Sequence, residues 1–341
     1  MLTVNQIKKI FSKNKIIIIT TLFILVVAIL IIFSTTTKPK KHLQITPSSY
    51  SPKLTENAKI VLKSTAPNIT DQSKTIRLNR QAVDSNHELV QNLLANLNLP
   101  AKPTRTDETF EGWVTEDQTL IIYLDRLEIV YNKNFIQDPS LLSQSNFKNQ
   151  QEIINLGQEF IKKNLADWAL PISQSPEINY WQNTGVQLMP TSAYNANTAT
   201  LTYYFQTLKG DRLIGATGTS PSLVIKIIPD GRIIGFEMPF GIFTIDDGGD
   251  KKISLTPKAV ANKFKNQPTV IHAFGPQNLS EATDIPKYQD LKEVVVDKIY
   301  PAYYFQNFEN FPQIGNLVIV GEGDGVTFDN QRLRVWLVVE I

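Results

Sequence analysis

The tetrapeptide YYFQ at Tyr203–Gln206 occurs again at Tyr303–Gln306. In both places a polar turn, LKGDR or FENFP, leads to an Ile-Gly pair at the same offset, Ile214-Gly215 and Ile314-Gly315. Self-similarity at a period of about 100 residues is typical of duplicated domains rather than of a short-period solenoid. The repeat therefore predicts that the chain contains copies of one structural unit.

Three helices are predicted around this repeat. The first begins at the capping-box pattern Ser85–Glu88 and ends before Pro100, the second covers Gln150–Leu165, and the third begins at Thr256-Pro257. Segments rich in β-branched and aromatic residues follow each helix and predict antiparallel strands. An immunoglobulin-like sandwich is the alternative, but it would leave the three helices without a place.

These patterns together predict an α+β fold. We expect an N-terminal transmembrane helix followed by tandem units, each with one helix packed on a curved antiparallel sheet. The predicted boundaries are a cytoplasmic head at 1–15, a transmembrane helix at 16–35, a stalk at 36–80, and helix-plus-sheet units at 81–140, 141–250 and 251–341.

The transmembrane prediction rests on the run Ile16–Phe33, which has 18 residues, no charge and two threonines as its only polar members. A helix of this length spans roughly 27 Å, close to the thickness of the hydrocarbon core of a bilayer. A cleaved signal peptide is the alternative, but its apolar core is usually shorter and a small-residue cleavage site follows it. Because a short basic head precedes the run and a cysteine-free body follows it, we expect a single-pass cell-membrane protein with a cytoplasmic N-terminus and an extracytoplasmic body.

Composition disfavours several classes of site. The chain has no cysteine, which excludes disulfides, thiolate metal sites and cysteine nucleophiles. Its histidines, His42, His87 and His272, lie far apart in the sequence, so we expect surface or capping roles rather than a zinc site. The net charge of +2 gives no reason to expect nucleic acid. We expect no cofactor and no metal.

No catalytic motif of the kind G-x-S-x-G or H-E-x-x-H occurs. The glycine-rich segment Gly321–Gly325 lacks the strand-then-helix setting of a phosphate-binding loop, and we interpret it as a hairpin connection. We therefore expect no catalytic residues and no enzymatic activity. A hydrolase with carboxylates contributed by distant strands is the alternative.

The alternation of side chains along a strand gives YYFQ two different faces. Tyr203 and Phe205 point to one face, which suits a core, while Tyr204 and Gln206 point to the other, which suits a half-exposed surface. Exposed aromatic and amide side chains are suitable anchors for a partner. The candidate partner-binding residues are Tyr204, Gln206, Tyr304 and Gln306.

The segments Tyr203–Gly215, Ser222–Met238 and Tyr303–Gly315, together with the layout from Ile16 onward, resemble a known group of proteins. The chain is similar to the YycH/YycI-type membrane-anchored regulators of sensor kinases and to the wider PepSY-like domains. The resemblance implies a membrane-tethered extracytoplasmic protein that binds another protein and carries no catalytic signature. We therefore expect a protein or peptide partner and modulation of a sensor kinase, a protease or envelope assembly; a structural spacer is a further alternative.

Overall fold

The structure is a computed structural model that describes residues 52–134, 139–142, 146–147, 149–184, 188–215, 220–249, 252–266, 268–274, 288–306, 308 and 311–341. It is mostly β-sheet, with 52% strand and 15% helix. The α-helices of these ranges are α1 (Glu88–Asn96), α2 (Gln150–Asn164) and α3 (Pro257–Asn266). Short 3₁₀ turns lie at Pro139–Leu142 and Ala166–Trp168.

The strands are numbered in chain order. They are β1 (Leu54–Leu62), β2 (Ile69–Ser73), β3 (Thr75–Gln81), β4 (Arg105–Thr106), β5 (Phe110–Val114), β6 (Gln118–Tyr123), β7 (Glu128–Lys133), β8 (Glu177–Asn183), β9 (Leu188–Pro190), β10 (Thr198–Tyr204), β11 (Arg212–Gly215), β12 (Ser222–Ile227), β13 (Ile233–Pro239), β14 (Ile242–Asp247), β15 (Lys252–Leu255), β16 (Thr269–Phe274), β17 (Leu291–Phe305), β18 (Gln313–Thr327) and β19 (Arg332–Glu340).

Most strands belong to two sheets. The nine-stranded sheet is antiparallel throughout and has the order β4-β5-β6-β7-β13-β12-β10-β8-β9. The eight-stranded sheet has the order β1-β17-β18-β19-β16, with β11 beside β17 and with β3 joining β14 to β18. Strands β1 and β11 run parallel to β17. A separate pair is formed by β2 and β15.

The first core lies between the nine-stranded sheet and helices α1 and α2. Helix α1 buries Leu93 and Leu94 on one face, and α2 buries Ile153. The predicted capping box at Ser85 does not form, because α1 begins three residues later and His87 is its N-cap. The Nδ1 atom of His87 accepts the amide hydrogen of Leu89 at 3.3 Å, which confirms a capping role for this histidine.

The second core lies between the eight-stranded sheet and α3. Helix α3 buries Val260 and Phe264 against it. The prediction that Gly321–Gly325 is a hairpin connection is wrong, because these residues lie within β18 and pair with β19. A Cβ atom on Gly321 would overlap the ring of Phe264, so the glycine lets the helix approach the strand closely.

The prediction of tandem helix-plus-sheet units is wrong. Strand β7, from the predicted unit 81–140, pairs with β13, from the predicted unit 141–250, so the two segments form a single sheet. Strands β1 and β3 begin in the segment predicted as a stalk, and they join the sheet built mainly from 251–341. The physical reason is that sequence order specifies local elements, whereas strand pairing joins segments that are far apart in the chain.

The prediction of a single-pass membrane protein is also corrected. In the part of the chain that the structure describes, no helix is both long and apolar enough to cross a bilayer. The run predicted to span the membrane, 16–35, lies outside the described residues. The predicted cell-membrane localisation and the predicted orientation both rest on that run, and they are corrected together with the single-pass prediction.

Candidate functional site

The first copy of YYFQ lies at the junction between the two cores. Tyr203 packs in the first core and Phe205 in the second. Between them, Tyr204 is half-buried; its hydroxyl donates to Glu177 at 3.1 Å, and the guanidinium of Arg212 lies 4.2 Å from the centre of its ring. Burial above all, and the charge of Glu177, raise the pKa of Tyr204 to about 12. Tyr204 is therefore held by intramolecular contacts.

The other predicted binding residues do not join Tyr204 in one exposed surface. Gln206 is half-buried, and its amide nitrogen donates to the carbonyl oxygen of Ile172 at 3.4 Å. Tyr304 is 0% exposed and lies in the interior of the eight-stranded sheet. Gln306 is exposed, at the end of β17. The repeated motif thus contributes mainly to packing.

A cleft of about 350 Å³ opens at the junction. One wall belongs to the outer face of the nine-stranded sheet, the face opposite α1 and α2, and the other belongs to the aromatic end of the second core. Cavities of this size accommodate small ligands or a few side chains of a larger partner. We call it the junction cleft and define it by Glu128, Val224 and Glu237 on the sheet wall and Phe243, Phe308 and Phe311 on the aromatic wall.

The aromatic wall is a chain of ring contacts. The rings of Phe205 and Phe243 meet edge to face with centroids 5.4 Å apart, and Phe311 meets Phe243 in the same way at 5.8 Å. Phe308 packs on Phe305 at 5.3 Å. Phe205 and Phe243 are buried, whereas Phe308 and Phe311, from the β17–β18 loop, are half-buried. The loop residues therefore present apolar ring surface to the cleft over a fixed aromatic base.

The sheet wall carries two carboxylates in different surroundings. The Nζ atom of Lys226 lies 2.5 Å from the Oε1 atom of Glu237. The nearest guanidinium nitrogen of Arg126 lies 4.0 Å from Glu128, and this guanidinium is placed 3.8 Å from the ring centre of Tyr123. Burial, and then the charge of Glu237, raise the pKa of Glu128, while Arg126 and Lys226 oppose that change. Glu237 therefore has a close cation, whereas the two cations that act on Glu128, Arg126 and Lys226, are farther from its carboxylate.

One border of the cleft is the passage from β13 to β14, which carries the chain from one sheet to the other. Gly241 has φ of +135°, a conformation that residues with a Cβ atom rarely adopt. A Cβ atom there would also lie 2.6 Å from the Nε atom of Arg80. That same Nε atom donates to the carbonyl oxygen of Phe240 at 2.6 Å. Gly241 and Arg80 together fix the path of the chain from β13 to β14. This path places Glu237 and Phe243 on opposite walls of the cleft.

A second set of charges lies on the eight-stranded sheet near Tyr204. Glu322 of β18 is 6% exposed and accepts a hydrogen bond from the hydroxyl of Tyr300 at 2.7 Å. The cations around its carboxylate are Lys298 at 3.5 Å, Arg334 at 3.7 Å and Arg212 at 3.8 Å. The guanidinium of Arg212 also lies between the rings of Tyr204 and Tyr300, 4.2 and 5.3 Å from their centres. Three cations therefore share the buried carboxylate of Glu322, and Arg334 also pairs with Asp297, so the network links β11, β17, β18 and β19.

Sequence reasoning missed the residues of the junction cleft. Glu128 and Glu237 look like ordinary polar positions of half-exposed strands, and no spacing pattern joins them, because β7 and β13 become neighbours only through the fold. The FENFP segment did contain a signal. Two phenylalanines, Phe308 and Phe311, in a short polar turn are more apolar than a solvated turn requires.

The chain is similar to known proteins in structure rather than in sequence. No protein-family model matches the sequence, and no curated protein matches it. An uncharacterized protein from Eubacterium rectale, known from its crystal structure, is similar over 85% of this chain and 90% of its own, with 12% identity and a TM-score of 0.47. The YpeB C-terminal domain from Bacillus megaterium is similar over 77% of this chain and 94% of its own, with 15% identity and a TM-score of 0.29. Both TM-scores lie below 0.5, so neither likeness assigns a function. The YpeB domain is a distant structural neighbour, and no comparison supports the YycH/YycI part of the resemblance.

Proposed function

We propose that this protein binds a peptide segment of a partner protein in the junction cleft. The observation that supports this proposal is the pairing of half-buried ring surface on Phe308 and Phe311 with a polar wall at Glu128 and Glu237. An apolar pocket beside a few fixed polar groups is the usual composition of a binding site, because the apolar part supplies affinity and the polar part supplies orientation.

The cleft continues onto a sheet face that is long enough for an extended peptide. The strand registers place Val224, Glu237, Val130 and Ile121 side by side across β12, β13, β7 and β6. All four side chains are half-buried rather than buried. A peptide anchored in the cleft would therefore meet a mixed apolar and polar surface along this row.

The test is selection from a phage-displayed library of random peptides on the full chain, followed by affinity measurement with the selected peptides. Val224→Trp fills the cleft from the sheet wall. Val114→Trp on β5 makes the same change at a half-buried position four strands away from Val224, outside the row formed by Val224, Glu237, Val130 and Ile121, and is the matched control. We expect the first variant to lose at least about tenfold in affinity, equivalent to about 1.4 kcal/mol, and the control to lose little. Selected peptides that bind Val224→Trp as tightly as the unmodified chain would contradict the proposal, as would a selection that enriches no peptide.

The hydrolase alternative has one observation in its favour, because the cleft brings two carboxylates from separate strands together and raises the pKa of Glu128. Against a hydrolase, each of the two carboxylates has a cation beside it. Lys226 lies 2.5 Å from Glu237, and Arg126 lies 4.0 Å from Glu128. Cleavage of a selected peptide by the unmodified chain, lost in Glu128→Gln, would favour a hydrolase; unchanged peptide in mass spectra favours binding.

The identity of the partner is a separate part of the proposal. The resemblance to YycH/YycI-type regulators and PepSY-like domains leads us to propose that the bound segment belongs to a regulated protein, such as a sensor kinase or a protease. Binding without a chemical reaction is sufficient to modulate a partner protein, because a bound protein can shift its partner between two conformational states.

A further inference from the structure

We propose that the junction cleft selects peptides in which a lysine or arginine lies next to an aromatic or aliphatic residue, with Glu128 receiving the cation. This inference rests on the proposed peptide-binding function and names the chemistry of the ligand. The occupant of the cleft is a segment of a partner protein, whose cation complements the carboxylate of Glu128 on the sheet wall.

The first step is the local charge balance. The cleft wall carries the carboxylates of Glu128 and Glu237 and the guanidinium of Arg126. Lys226 lies 2.5 Å from Glu237 and pairs with it, and its charge acts on Glu128 only from a greater distance. Arg126 lies 4.0 Å from Glu128 and faces the ring of Tyr123, so its attraction for the carboxylate is weak and screened by solvent. Glu128 is left as a carboxylate that a further cation would stabilise.

The second step is the neighbourhood of that carboxylate. The same cleft is lined by Phe308 and Phe311, whose half-buried rings lie on the opposite wall. A lysine or arginine side chain has an apolar stem and a charged end, so its stem can pack on the rings while its end reaches the carboxylate. The adjacent apolar residue of the peptide would occupy the remaining ring surface.

The third step is the pH dependence that this contact implies. The charged and titratable groups that face Glu128 are Glu237 on β13, Lys226 on β12, Arg126 in the β6–β7 turn and Tyr123 on β6. Because burial and Glu237 raise the pKa of Glu128, its carboxylate becomes protonated at a higher pH than an ordinary glutamate does. A cationic peptide binds the ionised form, so its affinity falls as the pH is lowered through that raised pKa.

The experiment uses three probes, acetyl-Phe-Lys-Leu-amide and the same peptide with norleucine or glutamate at the centre. Norleucine keeps the aliphatic stem and removes the charge. Affinities for the full chain are measured by calorimetry from about pH 7 to about pH 4. We expect the lysine peptide to bind about tenfold more tightly than the norleucine peptide at neutral pH and to lose that advantage on acidification. The glutamate peptide should bind most weakly.

Glu128→Gln should remove the preference for lysine over norleucine and its pH dependence. A circular dichroism spectrum and a thermal unfolding midpoint equal to those of the unmodified chain show that the variant is folded. Glu159→Gln is the control, because this exposed carboxylate lies on α2, on the opposite side of the sheet. Equal binding of the lysine and norleucine peptides would overturn this inference and leave peptide binding intact. Binding of none of these probes, together with a selection that enriches no peptide, would instead overturn the proposed function.

Discussion

The two copies of YYFQ have the same sequence and different structural roles. In the first copy Tyr203 belongs to one core and Phe205 to the other, so the motif joins them. In the second copy Tyr303 and Phe305 both belong to the second core. The copies also meet indirectly, because β11, which carries the Ile-Gly pair of the first copy, pairs in parallel with β17, which carries the second YYF. The repeated tetrapeptide therefore reflects the same preference for strand structure in both places. The contacts of its side chains differ because each copy pairs with different strands.

The largest expected effect comes from the two phenylalanines that the copies share. Phe205 and Phe305 are both 0% exposed in the second core, so Phe205→Ala and Phe305→Ala should each lower the free energy of unfolding by about 3–5 kcal/mol. Denaturant unfolding measures the loss, and hydrogen exchange locates it. If the motif joins the cores, Phe205→Ala reduces protection in β17 and β18. Loss of protection confined to β10 and β12 would show that the first copy serves one core only.

The next effect concerns the glycine that follows the second copy. A Cβ atom on Gly315 would overlap the ring of Phe305, which is buried and cannot move aside easily. We expect Gly315→Ala to destabilise the protein by about 1–3 kcal/mol, as overpacking of a core does.

The matched control is Gly112→Ala in β5, where the nearest atoms to the new Cβ would be 3.7 Å away, an ordinary contact. Equal urea midpoints for the two variants would argue against the close packing of Gly315 on Phe305.

The first tyrosines of the copies differ by one hydrogen bond. The hydroxyl of Tyr303 donates to the carbonyl oxygen of Ser73 at 2.8 Å, whereas the hydroxyl of Tyr203 has no hydrogen-bond partner among the described residues. We expect Tyr303→Phe to cost about 1 kcal/mol, because it leaves the carbonyl oxygen of Ser73 without that donor. Tyr203→Phe removes only a buried polar group and should be neutral or slightly stabilising.

Thermal unfolding of the two variants under the same conditions gives the comparison directly. A cost for Tyr203→Phe as large as that for Tyr303→Phe would show that the copies are equivalent at this position after all.

Sequence reasoning predicts the local elements of this fold better than their assembly. The amphipathic pattern of α2 gives its start at Gln150, and Thr256-Pro257 gives the start of α3, because capping and helical periodicity depend on neighbours within a few residues. The Gly-x-Gly-x-Gly pattern of β18 suggests a turn by its glycine content, although its period of two residues is also that of a strand. The role of Gly321 depends on Phe264, which approaches it only in the folded chain.

The junction cleft could not be predicted because its two walls come from strands whose partners are set by tertiary structure. Glu128 becomes a neighbour of Glu237 through the pairing of β7 with β13, and both line one cleft with Phe308, which follows β17 of the other sheet. None of these relations has a fixed spacing in sequence. The predicted site residues follow from the alternation of side chains along one strand, and this alternation indicates the two faces of the strand but not what covers each face.

The smallest expected effect belongs to the last residue of each motif. Gln206 donates one long hydrogen bond to Ile172, at 3.4 Å, and Gln306 is exposed, so Gln206→Ala and Gln306→Ala should each change stability by no more than about 0.5 kcal/mol. Neither side chain lines the junction cleft, so the affinity for a cleft-selected peptide should also stay the same in both variants. A loss of affinity in Gln306→Ala alone would move the binding surface from the cleft to the end of β17, and would give the second copy a role in recognition that its packing does not indicate.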